Sequence, residues 1–139
     1  MSTQVSPVTY LNPEGASQAQ GQYSHVGTPD GKLHFIAGQL AVAPDGSVAG
    51  VRDFETQFHQ VFNNLGAVLK GLGGDYNNVV KFTTYLVHSQ DIKEFKRLRS
   101  QLFPTLFAGD NFAPNTMLIV DRLVEEEFLL EVEAVAYIP

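Results

Sequence analysis

The sequence predicts an α+β fold, a mixed six-stranded sheet with two helices packed on one face. Three observations predict it. Two stretches carry apolar residues at three- and four-residue steps, the period of a helix with one buried stripe. A C-terminal stretch repeats with a period of two, which is that of a strand. The order is strands, helix, strand, helix, two strands, so both helices cover the same layer of one sheet.

The 139 residues suit one domain, expected to span 1–139, with residues 1–20 as an N-terminal tail holding one short strand at Val8 to Leu11. Thr28-Pro29-Asp30-Gly31 is turn chemistry between His25-Val26 and Leu33-His34-Phe35-Ile36, which predicts a hairpin. Pro44-Asp45-Gly46 separates Leu40-Ala41-Val42 from Ser47-Val48-Ala49 in the same way. The first helix runs from Asp53 to about Leu72 on the stripe Phe54, Phe58, Val61, Phe62, Leu65, Val68, Leu69 and Leu72, with Asp53 as N-cap and Gly71, Gly73 and Gly74 as the stop. Asn78 to Val87 reads as a strand. The second helix starts at a capping-box pattern, Asp91 with Glu94, carries the stripe Ile92, Phe95, Leu98, Leu102 and Phe103, and should end or kink at Pro104.

Thr116 to Leu123 is apolar on both faces, as expected of a central, covered strand. In Phe128 to Ile138 the even positions are all apolar and must face the helices. The odd positions read Leu129, Glu131, Glu133, Val135 and Tyr137. A solvated sheet face would be mostly polar, so this mixture points to a second face covered by another subunit.

Several functions are excluded by residue type. There is no Cys, so no disulfide framework, thiolate nucleophile or Cys-ligated metal exists. His25, His34, His59 and His88 lack metal-ligand spacing, and Gly71-x-Gly73-Gly74 follows a helix instead of opening one. No nucleophile elbow or phosphate-binding loop is present. The formal charge of −6 repels nucleic acid, and Lys93, Lys96, Arg97 and Arg99 read as a solvated helix face, not a basic patch. The N-terminus lacks the regions of a signal peptide, and no apolar run approaches the ~20 residues of a membrane span, so a cytoplasmic protein is expected.

Glu131 and Glu133 stand two apart on one strand and so share a face. As rim acids they would be partly solvated; at a subunit junction one would be desolvated, gain proton affinity and be able to orient a water for attack.

Several elements in order resemble the Rid (reactive intermediate deaminase, YjgF-like) family. Gly21-Gln22-Tyr23-Ser24 resembles its G-P-Y-S element, and Phe35-Ile36-Ala37-Gly38-Gln39 its apolar-x-S-G-Q strand end. Gln57-x-x-Gln60-x-x-x-Asn64-Leu65 is similar to its first helix and Val79-Val80-Lys81-x-Thr83 to the strand after it. Val120-x-Arg122-Leu123 and Glu131-Val132-Glu133-Ala134-Val135-Ala136 complete the likeness from about Gly21 to Ile138.

The resemblance implies a chorismate-mutase-like fold, a homotrimer with clefts between subunits, and hydrolysis of enamines or imines of small metabolites without a cofactor or metal. It assigns water positioning to Glu131, a lesser role to Glu133, and substrate contacts to Tyr23, the Gly38 backbone and Thr116. The family's carboxylate-gripping Arg, in P-A-R-S/T, is replaced within Ala113-Pro114-Asn115-Thr116 by Asn115. A neutral amide cannot supply a bidentate, charge-assisted clamp, which points to a different, uncharged ligand. The competing expectation is a non-catalytic trimer that binds a metabolite or partner; an endoribonuclease or translation inhibitor ranks third, because the acidic balance opposes RNA.

Overall fold

The computed structural model of the chain describes residues 7–16, 18–19 and 21–139; the rest of the expected tail lies outside the described residues. Six strands and two helices form among them: β1 (Val8–Leu11), β2 (Val26–Pro29), β3 (Leu33–Gln39), α1 (Phe54–Gly71), β4 (Val79–Leu86), α2 (Asp91–Leu106), β5 (Asn115–Ile119) and β6 (Leu130–Tyr137).

The strands do not make one six-stranded sheet. β3, β6, β4 and β5 form a mixed four-stranded sheet in that order, and β1 with β2 forms a separate antiparallel ribbon. The expected hairpin therefore divides: β2 pairs with β1, whereas β3 pairs with β6, from Leu33↔Tyr137 to Gln39↔Val132. Its turn exists, with Gly31 at φ 129, but it joins strands of different sheets. The cause is non-local. β3 lies along β6, which alternates apolar and mixed residues, while β2 holds a Gly and a Pro and lies against the start of β4. There any Cβ at Gly27 would overlap the Val80 carbonyl. The second expected turn is present, reduced to a single bridge between Val42 and Val48.

α1 forms as the stripe dictates. Phe58, Val61, Leu65 and Leu69 are fully buried, Asp53 caps the helix by accepting from the Thr56 N–H, and Gly73 at φ 89 leads the chain out. α2 departs from expectation at both ends. Gln90, without a side-chain bond, is its N-cap, so Asp91 is the first helical residue and acts through the helix dipole, while Glu94 pairs with Arg97. Pro104 sits inside the last turn and the helix continues to Leu106, since so near the end only one backbone bond is forfeited.

Arg99 also departs from the solvated face expected of it: it is 3% exposed, four residues after Phe95 and stacked over that ring at 5.4 Å. Its Nε finds no hydrogen-bond partner among the described residues, and burial pushes the guanidinium down to about 10. Gly21 closes over it, a Cβ there falling 2.6 Å from Nη2.

The core lies between the helices and the sheet. Phe58, Phe62, Phe82, Phe95 and Phe103 interlock edge-on or tilted at centroid separations of 4.8 to 6.4 Å, and Tyr76 donates its hydroxyl to the Phe62 carbonyl. β6 contributes Leu130, Val132, Ala134 and Ala136, all buried as its alternation required, and lies between β3 and β4. β5 was expected to be central; it is an edge strand, parallel to β4, with Leu118 and Ile119 44% and 47% exposed. Phe35, on β3 of the same sheet, is 79% exposed.

Candidate functional site

β6 positions the acids. Its helix-facing residues fill the core, leaving Glu131, Glu133, Val135 and Tyr137 half-buried on the open face. Antiparallel pairing with β4 sets Tyr85 opposite Glu131 and Thr83 opposite Glu133. On the other side the β3–β6 register shifts between Ile36 and Gln39, a bulge of the kind that re-aims a chain beside a site. The shift brings Gly38 against the Glu131 carboxyl, where any Cβ would overlap Oε2. Glycine is required there by close approach.

The acids are not equivalent. Tyr85 donates its hydroxyl to Glu133 Oε1, and this bond is the main reason its phenol holds its proton more tightly than usual. No hydrogen bond from the described residues reaches the Glu131 carboxyl. Burial, and then the charge of Glu133, raise its pKa above the ordinary carboxylate value. Together with Arg122, Val120 and Leu123 these residues line a cleft of about 270 Å³. The Arg122 guanidinium is already engaged, with Nη1 on Glu126 at 2.8 Å, Nε on the Leu123 carbonyl and Nη2 on the Val124 carbonyl.

Asn115 and Thr116 lie elsewhere in the chain. They line a second cleft of about 340 Å³, with His25, Gly27, Lys81 and Pro114, where the ribbon meets β4 and β5. Asn115 Oδ1 accepts the Thr84 hydroxyl at 2.7 Å, which fixes the amide and turns its N–H donors away from that bond. Tyr23 reaches this cleft through His25, its ring edge-on at 5.8 Å. The structure thus unites Gly38, Glu131 and Glu133 in one cleft and Asn115 and Thr116 in another, with Tyr23 packed behind its His25 wall.

Tyr85, Arg122 and His25 were not singled out as site residues from the sequence. Tyr85 had a signal: it is an odd position of a strand whose even positions, Val80, Phe82, Thr84 and Leu86, form the other face, so it shares the acids' face once β4 and β6 pair. Among the described residues no group of three or more His, Cys, Asp or Glu could hold a metal ion, and no helix is long and apolar enough to cross a membrane.

Two helices and a mixed sheet match the Rid and L-PSP structures. Residues 14–138 match the endoribonuclease L-PSP family, and the chain belongs to this YjgF/Rid family. It is 31% identical over 124 residues to a RutC family protein of Pyrococcus horikoshii, covering 89% of this chain and 93% of that one. It is 33% identical over 94 residues to reactive intermediate deaminase A, chloroplastic, of Arabidopsis thaliana, a match spanning 68% of this chain and half of the plant protein. Among solved structures, the Rid-family protein YyfB of Yersinia pestis superposes with a TM-score of 0.84 at 30% identity, covering 95% of this chain and 99% of that one.

Proposed function

We propose that this protein hydrolyses a reactive imine or enamine, or a related C–N centre, of a small metabolite in a cleft between subunits of a homotrimer. The observation that carries the reading is Glu131: a half-buried carboxyl, set against Gly38 and free of hydrogen bonds from the described residues, with its proton affinity raised beside an open cleft. A carboxyl of raised proton affinity beside an open cleft suits proton exchange with a water. Water adds its oxygen to the carbon of the protonated imine, the C=N π pair moves to nitrogen, and one water proton passes to Glu131, giving a neutral carbinolamine. Glu131 then returns that proton to nitrogen, and the C–N bond breaks with its electron pair leaving on ammonia as the hydroxyl oxygen forms C=O and gives up its remaining proton to solvent, releasing the carbonyl product. The imine carbon is electrophilic without help from a cofactor.

The two separate clefts support the assembly. Asn115 and Thr116, with Tyr23 on the neighbouring His25, gather at one edge of the chain, and Gly38, Glu131 and Glu133 on the open face. A neighbouring copy seated on the open face and on the exposed Phe35, Leu118 and Ile119 would join one group to the other. In that arrangement Asn115 and the Gly38 backbone bind a polar substrate group and Tyr23 walls the pocket.

The second reading is a trimer that binds a metabolite without turning it over. Asn115 favours it, because the amide is neutral and its oxygen is committed to Thr84. Incubating the protein with imines generated in situ by an amine oxidase or an amino-acid oxidase, and following imine loss against ammonia release, separates the two. Acceleration supports the hydrolase; saturable binding with no acceleration across the panel leaves the binder.

A further inference from the structure

Glu131 and Glu133 are alike in sequence, and the structure makes them different through one residue on the neighbouring strand. Tyr85 is paired directly with Glu131, yet its ring carries the hydroxyl past that neighbour to the diagonal one and donates to Glu133. Glu133 therefore has one oxygen occupied and its orientation fixed, while Glu131 lies against Gly38 with its carboxyl facing the cleft. We propose that Tyr85 is a positioning residue that divides the work of the two acids: it holds Glu133 as a fixed, occupied carboxylate and leaves Glu131 as the one carboxyl that exchanges protons with water and substrate. This rests on the reading of Glu131 given above and adds to it the group that selects between the acids.

Other charges around Glu131 do not perform that selection. Along β6 its charged neighbour is Glu133, and from β4 comes Tyr85, with Lys81 two pairs further on beside Val135. β3 offers the uncharged Gly38 and Gln39, and the Arg122 guanidinium is turned onto Glu126 and its own loop. The phenolic proton stays on Tyr85 throughout the cycle, since the proton lost by water travels on Glu131 alone.

Tyr85→Phe in the full-length protein removes only the hydroxyl. In carboxyl-labelled protein, with the Glu131 resonance assigned by Glu131→Gln, the wild-type Glu131 midpoint lies above the ordinary carboxylate value. In Tyr85→Phe the Glu133 carboxyl is no longer held by the hydroxyl and can move relative to Glu131, so the Glu131 midpoint shifts from its wild-type value. An unmoved Glu131 midpoint in Tyr85→Phe overturns the assignment. Should Tyr85→Phe not fold, Glu133→Gln serves: removing the fixed charge lowers the Glu131 midpoint, and an unmoved midpoint again overturns the proposal.

Activity gives the second readout. Glu131→Gln/Tyr85→Phe is several-fold more active than Glu131→Gln alone, since the released Glu133 takes up the proton; a double variant no better than the single one counts against Tyr85. The two readings fail separately. Titrations as described without turnover in any protein would sink the hydrolase and not the role of Tyr85, whereas turnover with an unchanged titration would sink Tyr85 alone.

Discussion

Gly38 and Glu131 are in direct contact across the β3–β6 bulge, and the space that a side chain at 38 would need is filled by the Glu131 carboxyl. Gly38→Ala must therefore displace the acid. On the hydrolase reading kcat falls about 10²-fold, the usual result of moving a reacting group by an ångström. Far-ultraviolet circular dichroism should stay native, because Gly38 lies at a strand end outside the core. Full activity in Gly38→Ala would mean that the position of Glu131 is irrelevant.

The acid limb of the pH–rate profile follows from Glu131. Its raised pKa means that it is protonated, and useless as a base, at pH values where an ordinary glutamate of pKa about 4.3 is ionised. Activity should fall with decreasing pH at a midpoint above that value. The linkage to stability has the opposite sense: between the unfolded and folded pKa values the native state holds more protons, so stability declines as pH rises through that window. Glu131→Gln removes this decline and leaves melting at neutral pH unchanged or slightly improved. Thermal melts of the two proteins across pH check the sign.

Asn115 stands where the family's carboxylate-gripping Arg is expected, and a neutral amide binds a carboxylate less strongly than a guanidinium fork does. Wild-type protein should hydrolyse 2-iminopropionate, generated by an amino-acid oxidase, poorly. Asn115→Arg should raise kcat/KM on that substrate by tenfold or more, equivalent to about 1.4 kcal/mol of added binding. Efficient wild-type turnover of 2-iminopropionate would contradict this.

Assembly is predicted from the apolar residues left uncovered on the sheet. Light scattering should report a species three times the 15.3 kDa of the chain. Phe35→Glu, placing charge on the most exposed of the large apolar residues, should shift the population to monomer without unfolding it. A wild-type monomer at micromolar concentration would remove the inter-subunit cleft from the account.

The helices and the C-terminal strand were legible in the sequence because each is fixed by its own periodicity: Phe58, Val61, Leu65 and Leu69 repeat as a helix, and Leu130 to Ala136 alternate as a strand. Pairing was not, because strand partners are chosen by distant segments. β2 resembled one arm of a hairpin and joined β1. β5 was misjudged because a strand apolar on both faces reads the same whether its own sheet covers it or a second copy does. Glu131, Gly38 and Asn115 were singled out through family resemblance, but their division between two clefts, and the bond from Tyr85 to Glu133, depend on register. The burial of Arg99 was within reach: it lies four residues after Phe95, on the same helix face, and its charge alone suggested solvent.

The central claim is that Glu131 handles the proton of an attacking water, and single-turnover hydrolysis of an accepted imine by wild type and Glu131→Gln tests it most directly. Glutamine keeps the size and much of the hydrogen bonding and removes the base. The account predicts a fall of roughly 10²–10⁴-fold in the rate of imine loss, the range for a general base, with ligand affinity and assembly nearly unchanged and Glu133→Gln much milder. Equal rates in wild type and Glu131→Gln would contradict it.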